Sequence, residues 1–397
     1  MRSESAMKPL ADVVIVGGGI LGVAVAWALA ERRFKVVLLE EKSLSAGATG
    51  CTFGWLNATS KTTDWTYHRL NARGMEIYIE LEARWGCEAL GMGGGGYLAW
   101  VNGDDSNAVD SLYDQIRRLQ QWDYPAELLE LDTLRLLEPQ VRFPSAALGL
   151  FAPADRWVEA PVLAGFFAGR VRSLGGEIRE RCPAVAFRFE DAGHLAAVVT
   201  PQGEIATAIA VLTGGIHLPA LVRMAARDPI DGERFAVRRV PGLLVQTPPG
   251  SAIGLIERLV EPLDGSGLHL RPTLAGGVML GADGIDERLG DLPPGEEPQA
   301  QAAELLHSAA RHLKALDDPG LTARSKIGVG VRPVPADGFP IVGPLASAPG
   351  VYGVVTHSGI TLAPLLGRLL AEEIATGRCP DLLKPYRPDR FVGAAVH

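Results

Sequence analysis

The segment of residues 13–22 constrains the fold of this chain more than any other. It reads Val-Val-Ile-Val-Gly-Gly-Gly-Ile-Leu-Gly, which predicts a buried strand, a glycine turn and the start of a helix. Three of its glycines have the G-x-G-x-x-G spacing, which combines a tight turn, a close approach of backbone to a pyrophosphate, and close packing of helix on strand. The exposed N–H groups and positive dipole end of the helix then favour bound phosphate. The loop therefore predicts a dinucleotide site, and the residues that would form it are Gly17, Gly19, Ile20, Leu21 and Gly22.

The sequence after the loop agrees with this prediction. An apolar helix from Leu21 to Arg33 is followed by the strand Lys35 to Leu39, which ends at Glu40. Glu40 lies near the position, roughly 20 residues after the glycines, at which an acidic side chain binds the adenosine ribose hydroxyls. Glu41 is a second candidate for the ribose, or is simply solvated. The alternative for the whole unit is a tight strand-to-helix turn with no ligand.

Composition narrows the classes of protein. The chain has 397 residues, of which 47% are hydrophobic and 21% charged, so two domains with a large core are expected. A net charge of −8 argues against a partner that is bound through nucleic-acid phosphates. No apolar run approaches the roughly 20 residues of a membrane span, and Met1 to Lys8 leave no room for the apolar core of a signal peptide, so cytoplasmic location is expected.

The four cysteines predict neither a metal site nor a disulfide framework, because their spacing fits neither. They are Cys51, Cys87, Cys182 and Cys379.

Segments of nucleotide-binding type recur along the chain, with other elements between them. The strand Ala208 to Leu212 ends in Thr213-Gly214, which suggests a second ligand edge of the same sheet. Strands at Gly267 to Arg271 and Gly277 to Gly281 look antiparallel, and helices are predicted at Gln299 to Leu316 and Leu362 to Thr376. The predicted class is α/β (α+β overall): a discontinuous Rossmann-type cofactor domain with a second, antiparallel-sheet substrate domain. The predicted cofactor domain comprises residues 1–88, 150–225 and 326–397, and the substrate domain comprises residues 89–149 and 226–325.

A second motif lies near the end of the chain. Residues 330–343 match G-x-R-P-x-x-x-D-G-x-P-x-x-G, and residues 356–364 read Thr-His-Ser-Gly-Ile-Thr-Leu-Ala-Pro. Together with the first glycine loop, and with Trp157-Val158 before Pro161, this pattern resembles the D-amino-acid oxidase superfamily of FAD enzymes. Glycine oxidases, sarcosine oxidases and D-amino-acid dehydrogenases belong to that superfamily. The resemblance spans nearly the whole chain.

The resemblance implies FAD as the cofactor and gives roles to matching residues. Arg332, in the G-x-R-P motif, would bind a substrate carboxylate through two parallel charged hydrogen bonds; the alternative is a structural salt bridge. The backbone N–H groups of residues 358–361, with the dipole of the following helix, would stabilise the anionic reduced flavin. Asp337 and Gly338 are expected to make a turn. The further residues that the resemblance places at FAD are Ala48, Thr49, Gly50, Gly54, Trp55, Ala184, Val185, Thr213, Gly214, Arg332, Ser358, Gly359, Ile360 and Thr361.

Candidates on the substrate side are less specific. His357 would contact flavin or substrate, or is a structural group at the end of a strand. Trp55 would form a wall of the substrate pocket, or is a core tryptophan. The tyrosines that bind the carboxylate in the family have no clear counterpart, so His269 and Arg271 are taken as substitutes.

FAD is expected to be bound non-covalently. Sarcosine oxidases that attach FAD covalently use a cysteine just ahead of the Asp-Gly turn, where this chain has Gly330, and no cysteine lies between Cys182 and Cys379. Cys51 is the only candidate that would be suspected if the flavin were attached.

The predicted function is FAD-dependent oxidation of a C–N bond in an amino acid or related amine. Hydride moves to flavin N5, and the imine hydrolyses in water. Oxygen or another carrier accepts the electrons, and an oligomer is left open. The alternatives are an enzyme for a larger or cyclic amine, the flavin subunit of a heteromeric amine oxidase or dehydrogenase, and a NAD-dependent dehydrogenase that uses the same glycine loop.

Overall fold

The fold is described from a computed structural model that covers residues 11–226, 235–291 and 298–391. Met1 to Lys8, where no signal peptide is expected, lie outside the described residues. The chain divides into two compact units. Unit 1 comprises Met1–Gly50, Pro161–Arg239 and Arg332–His397, and unit 2 comprises Cys51–Ala160 and Val240–Val331.

The described strands, in chain order, are β1 (Val13–Val16), β2 (Val36–Leu39), β3 (Trp55–Leu56), β4 (Met92–Gly93), β5 (Tyr97–Asn102), β6 (Glu127–Glu130), β7 (Ala147–Ala152), β8 (Arg156–Val158), β9 (Glu177–Arg179), β10 (Ala186–Phe189), β11 (Leu195–Thr200), β12 (Gly203–Ala206), β13 (Ala210–Leu212), β14 (Val237–Gln246), β15 (Leu259–Pro262), β16 (Leu268–Pro272), β17 (Val278–Ala282), β18 (Lys326–Pro335), β19 (Ile341–Pro344) and β20 (Val351–Val355). The described α-helices are α1 (Ile20–Glu31), α2 (Trp65–Trp85), α3 (Cys87–Leu90), α4 (Ser106–Gln121), α5 (Leu131–Leu137), α6 (Ala160–Ser173), α7 (Leu218–Ala225), α8 (Asp283–Asp286), α9 (Gln299–Ala310), α10 (Leu321–Arg324) and α11 (Gly359–Thr376).

Unit 1 is built on a six-stranded sheet in the order β19-β20-β13-β1-β2-β9. The strands from β20 to β9 run parallel, and only β19 is antiparallel to its neighbour. β1 and β2 are buried throughout, as is typical of parallel strands that are covered on both faces. α1 is apolar on all sides and buried from Ile20 to Ala30, because it lies between the sheet and neighbouring helices: Trp27 stacks on Phe167 of α6, with ring centroids 5.0 Å apart. The predicted α/β class is confirmed.

Unit 2 contains an eight-stranded sheet in the order β18-β14-β17-β16-β15-β5-β7-β6 and a small sheet in the order β3-β8-β4. The predicted antiparallel pair is present as β16 and β17, whereas β15 pairs with β5 in parallel. β5 is buried from Tyr97 to Val101 because its side chains alternate between two covered faces. Leu98 and Trp100 share a core with α9, and Tyr97 and Ala99 share another with α4.

Two helix ends differ from the prediction by three residues or more, whereas α1 differs from it by one residue at its start and two at its end. The helix predicted to run to Leu316 ends at Ala310, because tertiary contacts take over at His312: its carbonyl accepts a hydrogen bond from the Arg142 N–H, and its ring packs edge-on against Trp100. The helix predicted from Leu362 begins three residues earlier, at Gly359. This earlier start makes the N–H groups of residues 359–361 first-turn donors, which have no acceptor within the helix.

Within the described residues, no helix combines the length and the apolar character that crossing a membrane requires.

Candidate functional site

The glycine loop of unit 1 has the geometry of an anion site at a helix N-terminus. The N-cap of α1 is Gly19, which has no side chain to bond the first N–H groups of the helix. The first turn also carries no acidic residue. The Ile20 N–H donates to Thr49 Oγ1 at 3.0 Å. Gly22 lies against the loop so closely that a Cβ there would be 1.9 Å from Gly17 O, so the helix could not approach the strand with any other residue. The first turn of α1, which carries no acidic side chain, is suited to a diphosphate.

Glu40 lies beside this loop, at the end of β2. One carboxylate oxygen accepts a hydrogen bond from the Gly18 N–H at 2.6 Å, and the other accepts from the Lys42 N–H at 2.8 Å. Both oxygens keep a further lone pair that could accept from ribose hydroxyls. Glu41 is exposed, and the structure places Glu40 at the loop.

Three other predicted cofactor segments lie next to the loop. β13 is the parallel neighbour of β1, and the Thr213 hydroxyl that follows it donates to Gly17 O at 3.0 Å, so Thr213-Gly214 lies at the same carboxyl edge. Ala48, Thr49 and Gly50 form a 3₁₀ turn in which Thr49 is buried. Ala184 and Val185 follow Cys182, whose N–H donates to Glu40 O at 2.8 Å.

A second helix N-terminus opens beside the first. Ser358 is the N-cap of α11, and a Cβ at Gly359 would be 3.9 Å from the Ile20 side chain. Residues 358–361 therefore begin α11 next to the start of α1. His357, just before this turn, is exposed.

Arg332 lies half-buried in β18. The following Pro333 lies 3.9 Å from the position of a Cβ on Gly215, which places the Arg-Pro pair next to the Thr213-Gly214 turn. Asp337 in the same motif is occupied by structural contacts: it accepts from the Phe339 N–H at 3.1 Å and forms an ion pair with Arg390 at 2.8 Å.

In unit 2, Trp55 lies in a buried polar network that the sequence did not predict. Its indole N–H donates to Asp155 at 3.0 Å, and its ring lies 4.7 Å from that of Tyr97. Asp155 is completely buried and also accepts from the Thr59 and Tyr124 hydroxyls, at 2.8 and 2.6 Å. Burial raises the pKa of Asp155 to about 7, although these hydrogen bonds and the charge of Lys61 oppose the rise.

A second carboxylic acid lies near Tyr97. The Tyr97 hydroxyl donates to Glu261 at 2.7 Å. Burial raises the pKa of Glu261 to about 7, with a further contribution from the charge of Asp283. In the sequence these acids look like any others, because only folding reveals that they are buried.

His269 and Arg271 both lie beside Phe53 in unit 2. The His269 ring packs edge-on against Phe53, with centroids 4.5 Å apart, and its Nδ1 lies 3.0 Å from Gly267 O. Arg271 is completely buried, and its guanidinium is paired with Glu159 at 3.1 Å.

The comparisons with known proteins bear on the whole chain. The family model DAO, described as FAD dependent oxidoreductase, matches residues 12–373. The chain belongs to the DAO family. It is 26% identical over 393 residues to a glycine oxidase of Geobacillus kaustophilus, covering 96% of this chain and 97% of that protein.

Two further proteins are similar over nearly their full lengths. One of the subunits of opine oxidase from Agrobacterium tumefaciens is 24% identical over 392 residues, covering 96% of this chain and 97% of that protein. The crystal structure of L-proline dehydrogenase from P. horikoshii matches with a TM-score of 0.81 and 20% identity, covering 98% of this chain and 99% of that one.

Membership of the DAO family confirms the predicted resemblance, the FAD cofactor and the class of FAD-dependent oxidoreductase. The residues of unit 1 fit FAD: the glycine-turn N-terminus of α1, a carboxylate at the end of β2 and a second helix start all lie together. Among the described residues, no group of three or more His, Cys, Asp or Glu side chains is placed to hold a metal ion.

Proposed function

We propose that this DAO-family chain oxidises the C–N bond of an amino acid or related amine to an imine. The observation that carries the proposal is the match to the family over residues 12–373, since that match includes both the glycine loop and the Arg332 motif. Two of the similar proteins are named for glycine and L-proline, which are both small amino acids. A small amino acid or an N-substituted relative is the substrate class proposed here.

Unit 1 supplies the proposed FAD site. The first turn of α1 would bind the diphosphate, Glu40 the ribose, and the N–H groups at the start of α11 the electron-rich edge of the flavin ring. When bound, FAD supplies the hydride acceptor of the reaction, at N5. In the proposed domain assignment, residues 1–88, 150–225 and 326–397 bind FAD, and residues 89–149 and 226–325 bind substrate.

Arg332 is the proposed partner of the substrate carboxylate. A planar guanidinium that makes two charged hydrogen bonds fixes both the position and the orientation of a carboxylate. Such orientation supplies most of the rate gain in a transfer that needs close alignment of donor and acceptor. His357, Trp55 and His269 are proposed to line the substrate pocket, and no side chain is required to take the α-proton as a base.

The substrate class, the electron acceptor and the cellular location are proposed only in general terms. The substrate is a small molecule, the electron acceptor is oxygen or another carrier, and the enzyme acts in the cytoplasm.

A second candidate is a flavin subunit of a heteromeric amine oxidase or dehydrogenase. It is favoured by the similarity to the opine oxidase chain, which is named as one subunit of its enzyme and matches over nearly the full length of both proteins. In that case the chain would bind FAD and would need a partner for turnover.

Anaerobic spectroscopy of the purified protein tests both candidates. The visible spectrum should show bound flavin, and a panel of D- and L-amino acids, N-methyl amines and cyclic amines should include one that bleaches it. Bleaching by an amine alone supports the first candidate. Bound flavin that no amine in the panel reduces would contradict it and favour the heteromeric subunit.

A further inference from the structure

Arg271 is a buried charged residue of unit 2 to which the proposed reaction gives no role. Its side chain is completely buried. Its Nε donates to the carbonyl of Phe53, and its Nη1 donates to Glu159 at 3.1 Å and to Pro272 O at 2.7 Å. The guanidinium lies 5.0 Å from the ring of Trp157 and 5.7 Å from that of Phe53.

These contacts account for the charge of Arg271. A buried guanidinium is stable only when its charge is paired. Glu159 pairs the charge of Arg271, and the two carbonyl oxygens accept further hydrogen bonds from its Nε and Nη1. A substrate carboxylate would have to compete with a carboxylate that is already in place. The sequence suggested Arg271 as a ligand of the substrate carboxylate, in place of the tyrosines of the family. Its pairing with Glu159 argues against that role.

Arg271 holds the first residue of the segment Phe53–Trp55, through the Phe53 carbonyl, and its Nη2 lies 3.7 Å from the position of a Cβ on Gly54. Other contacts hold the rest of the segment. The next carbonyl, Gly54 O, accepts from the Val158 N–H at 2.8 Å. Gly54 has φ +75°, and a Cβ there would be 2.1 Å from Val158 O. Trp55 pairs with Trp157 across β3 and β8, and its indole is held by Asp155. Three successive residues are thus fixed, each by a different contact.

We propose that Arg271 is a positioning residue: paired with Glu159, it fixes the backbone of Phe53–Trp55, and through it the Trp55 side chain. The catalytic consequence rests on the proposed function, in which Trp55 lines the substrate pocket. A rigid guanidinium suits this task because it donates in several fixed directions at once, whereas a lysine ammonium on a flexible stem cannot hold the same carbonyl and carboxylate together.

The test compares Arg271→Lys with Arg258→Lys in the full-length FAD-bound protein. Arg258 is a matched control, since it is mostly buried in the same unit and donates to Glu138 at 3.2 Å and to Leu137 O at 2.8 Å. Amide hydrogen exchange without substrate gives the first readout. Exchange across residues 53–55 should be at least about tenfold faster in Arg271→Lys than in Arg258→Lys.

The second readout is anaerobic flavin reduction by the amine that bleaches the wild type. Arg271→Lys should reduce the limiting rate of flavin reduction about tenfold or more, because small misplacements of reacting groups are costly. The concentration of amine at half-maximal rate should change by less than about threefold, since a positioning residue makes no contact with the substrate carboxylate. Arg258→Lys should leave both within about twofold of wild type.

Each outcome bears on the proposal. Equal exchange at residues 53–55 in the two variants overturns it. So does a large rise in the half-maximal amine concentration at an unchanged limiting rate, which would return Arg271 to the role of carboxylate ligand. If Arg271→Lys does not fold, Glu159→Gln, with Glu138→Gln as its control, gives the same two comparisons. If no amine reduces the wild type, the proposed function fails while the hydrogen-exchange result still decides the positioning role.

Discussion

A buried guanidinium can bind a substrate carboxylate only if its own charge is not already used by the fold. Arg271 is completely buried and paired with Glu159. Asp337, in the second motif, is likewise occupied by Arg390. Arg332 lies in the same motif and is half-buried next to the Thr213-Gly214 turn, where the G-x-R-P motif places the proposed ligand of the substrate carboxylate.

Replacing Arg332 with Ala should raise the substrate concentration at half-maximal rate by about 10- to 100-fold, since each hydrogen bond between charged groups contributes about 1.5–3 kcal/mol. FAD should stay bound, because the glycine loop and Glu40 are untouched. Steady-state kinetics and the visible spectrum measure both effects. Arg223→Ala, at an exposed position of α7, is the control, and kinetics of Arg332→Ala that match it would remove Arg332 from the substrate site.

Gly22 gives a prediction for the cofactor. A Cβ in Gly22→Ala would lie 1.9 Å from Gly17 O and 2.7 Å from Thr213 Oγ1, so backbone of the loop must move and FAD affinity should fall by about tenfold or more. Titration of the apoprotein with FAD measures this. Gly165→Ala in α6 is a matched control, because a Cβ there meets nothing within 4 Å and alanine favours a helix. Equal FAD affinity in the two variants would contradict the assignment of the loop.

Asp155 predicts a dependence of stability on pH. Burial raises its pKa from 3.8 to about 7, so the folded state binds this proton more tightly than the unfolded state does. Its contribution to the free energy of unfolding is therefore largest below about pH 4 and is lost as the pH rises to about 7. The free energy of unfolding of wild type should therefore fall more over this pH range than that of Asp155→Asn, and the difference between the two falls should be up to about 4 kcal/mol.

Urea unfolding of wild type and Asp155→Asn across that pH range measures the difference. Asp132→Asn, at a position where the side chain is 96% exposed, should keep the wild-type dependence. If the free energy of unfolding changes with pH equally in Asp155→Asn and wild type, Asp155 has the same pKa in the folded and unfolded states, and the prediction is wrong.

At the scale of elements, two glycines of β18 face the segment that follows the small-residue loop. A Cβ at Gly330 would be 2.1 Å from the carbonyl oxygen of Cys51, whereas a Cβ at Gly328 would be 3.0 Å from the Cys51 Sγ. The first neighbour is backbone and cannot give way, while the second is the end of a side chain that can rotate. The first glycine of the G-x-R-P motif is thus explained by packing.

Gly330→Ala should therefore destabilise the protein by about 1–3 kcal/mol, the usual cost of overpacking, and Gly328→Ala by less than about 1 kcal/mol. The midpoints of urea unfolding, measured side by side, give the comparison. Equal midpoints for the two variants would show that β18 and the Cys51 backbone separate more easily than their packing indicates.

The ends of helices were the least accurate part of the prediction. α9 ends at Ala310 because His312 is engaged by Trp100 and Arg142, and neither contact is visible in the local pattern of apolar residues. α11 begins at Gly359, ahead of the apolar run that marked its start. Local periodicity predicts that a helix exists, whereas tertiary contacts decide where it ends.

For the whole molecule, FAD is predicted to be dissociable. No cysteine lies between Cys182 and Cys379, and Gly330 stands where covalent sarcosine oxidases have theirs. Acid denaturation followed by filtration should release all the flavin, and the apoprotein should unfold at a lower temperature, with a gap that widens as FAD is added back. Flavin that stays on the polypeptide in wild type but not in Cys51→Ser would instead identify Cys51 as the attachment site.

The sequence by itself determined the α/β class, the glycine loop, the acidic Glu40 at the end of the next strand and the DAO resemblance. Each of these depends on spacing within a short segment: strand and helix periods, three glycines, an acid at the end of the next strand, or the G-x-R-P motif. Such spacings are fixed by backbone geometry, so they can be recognised without knowing what packs against them.

The tertiary structure alone decided which charged side chains are buried and what they hold. Trp55 and Asp155 are 100 positions apart, and Arg271 and Glu159 are 112 apart. A sequence shows that an arginine or an acid is present, but the cost of burying its charge is met only when the chain brings a partner to it. The role proposed for Arg271 therefore changed once Glu159 and the Phe53 carbonyl were seen beside it, whereas the role proposed for the glycine loop did not.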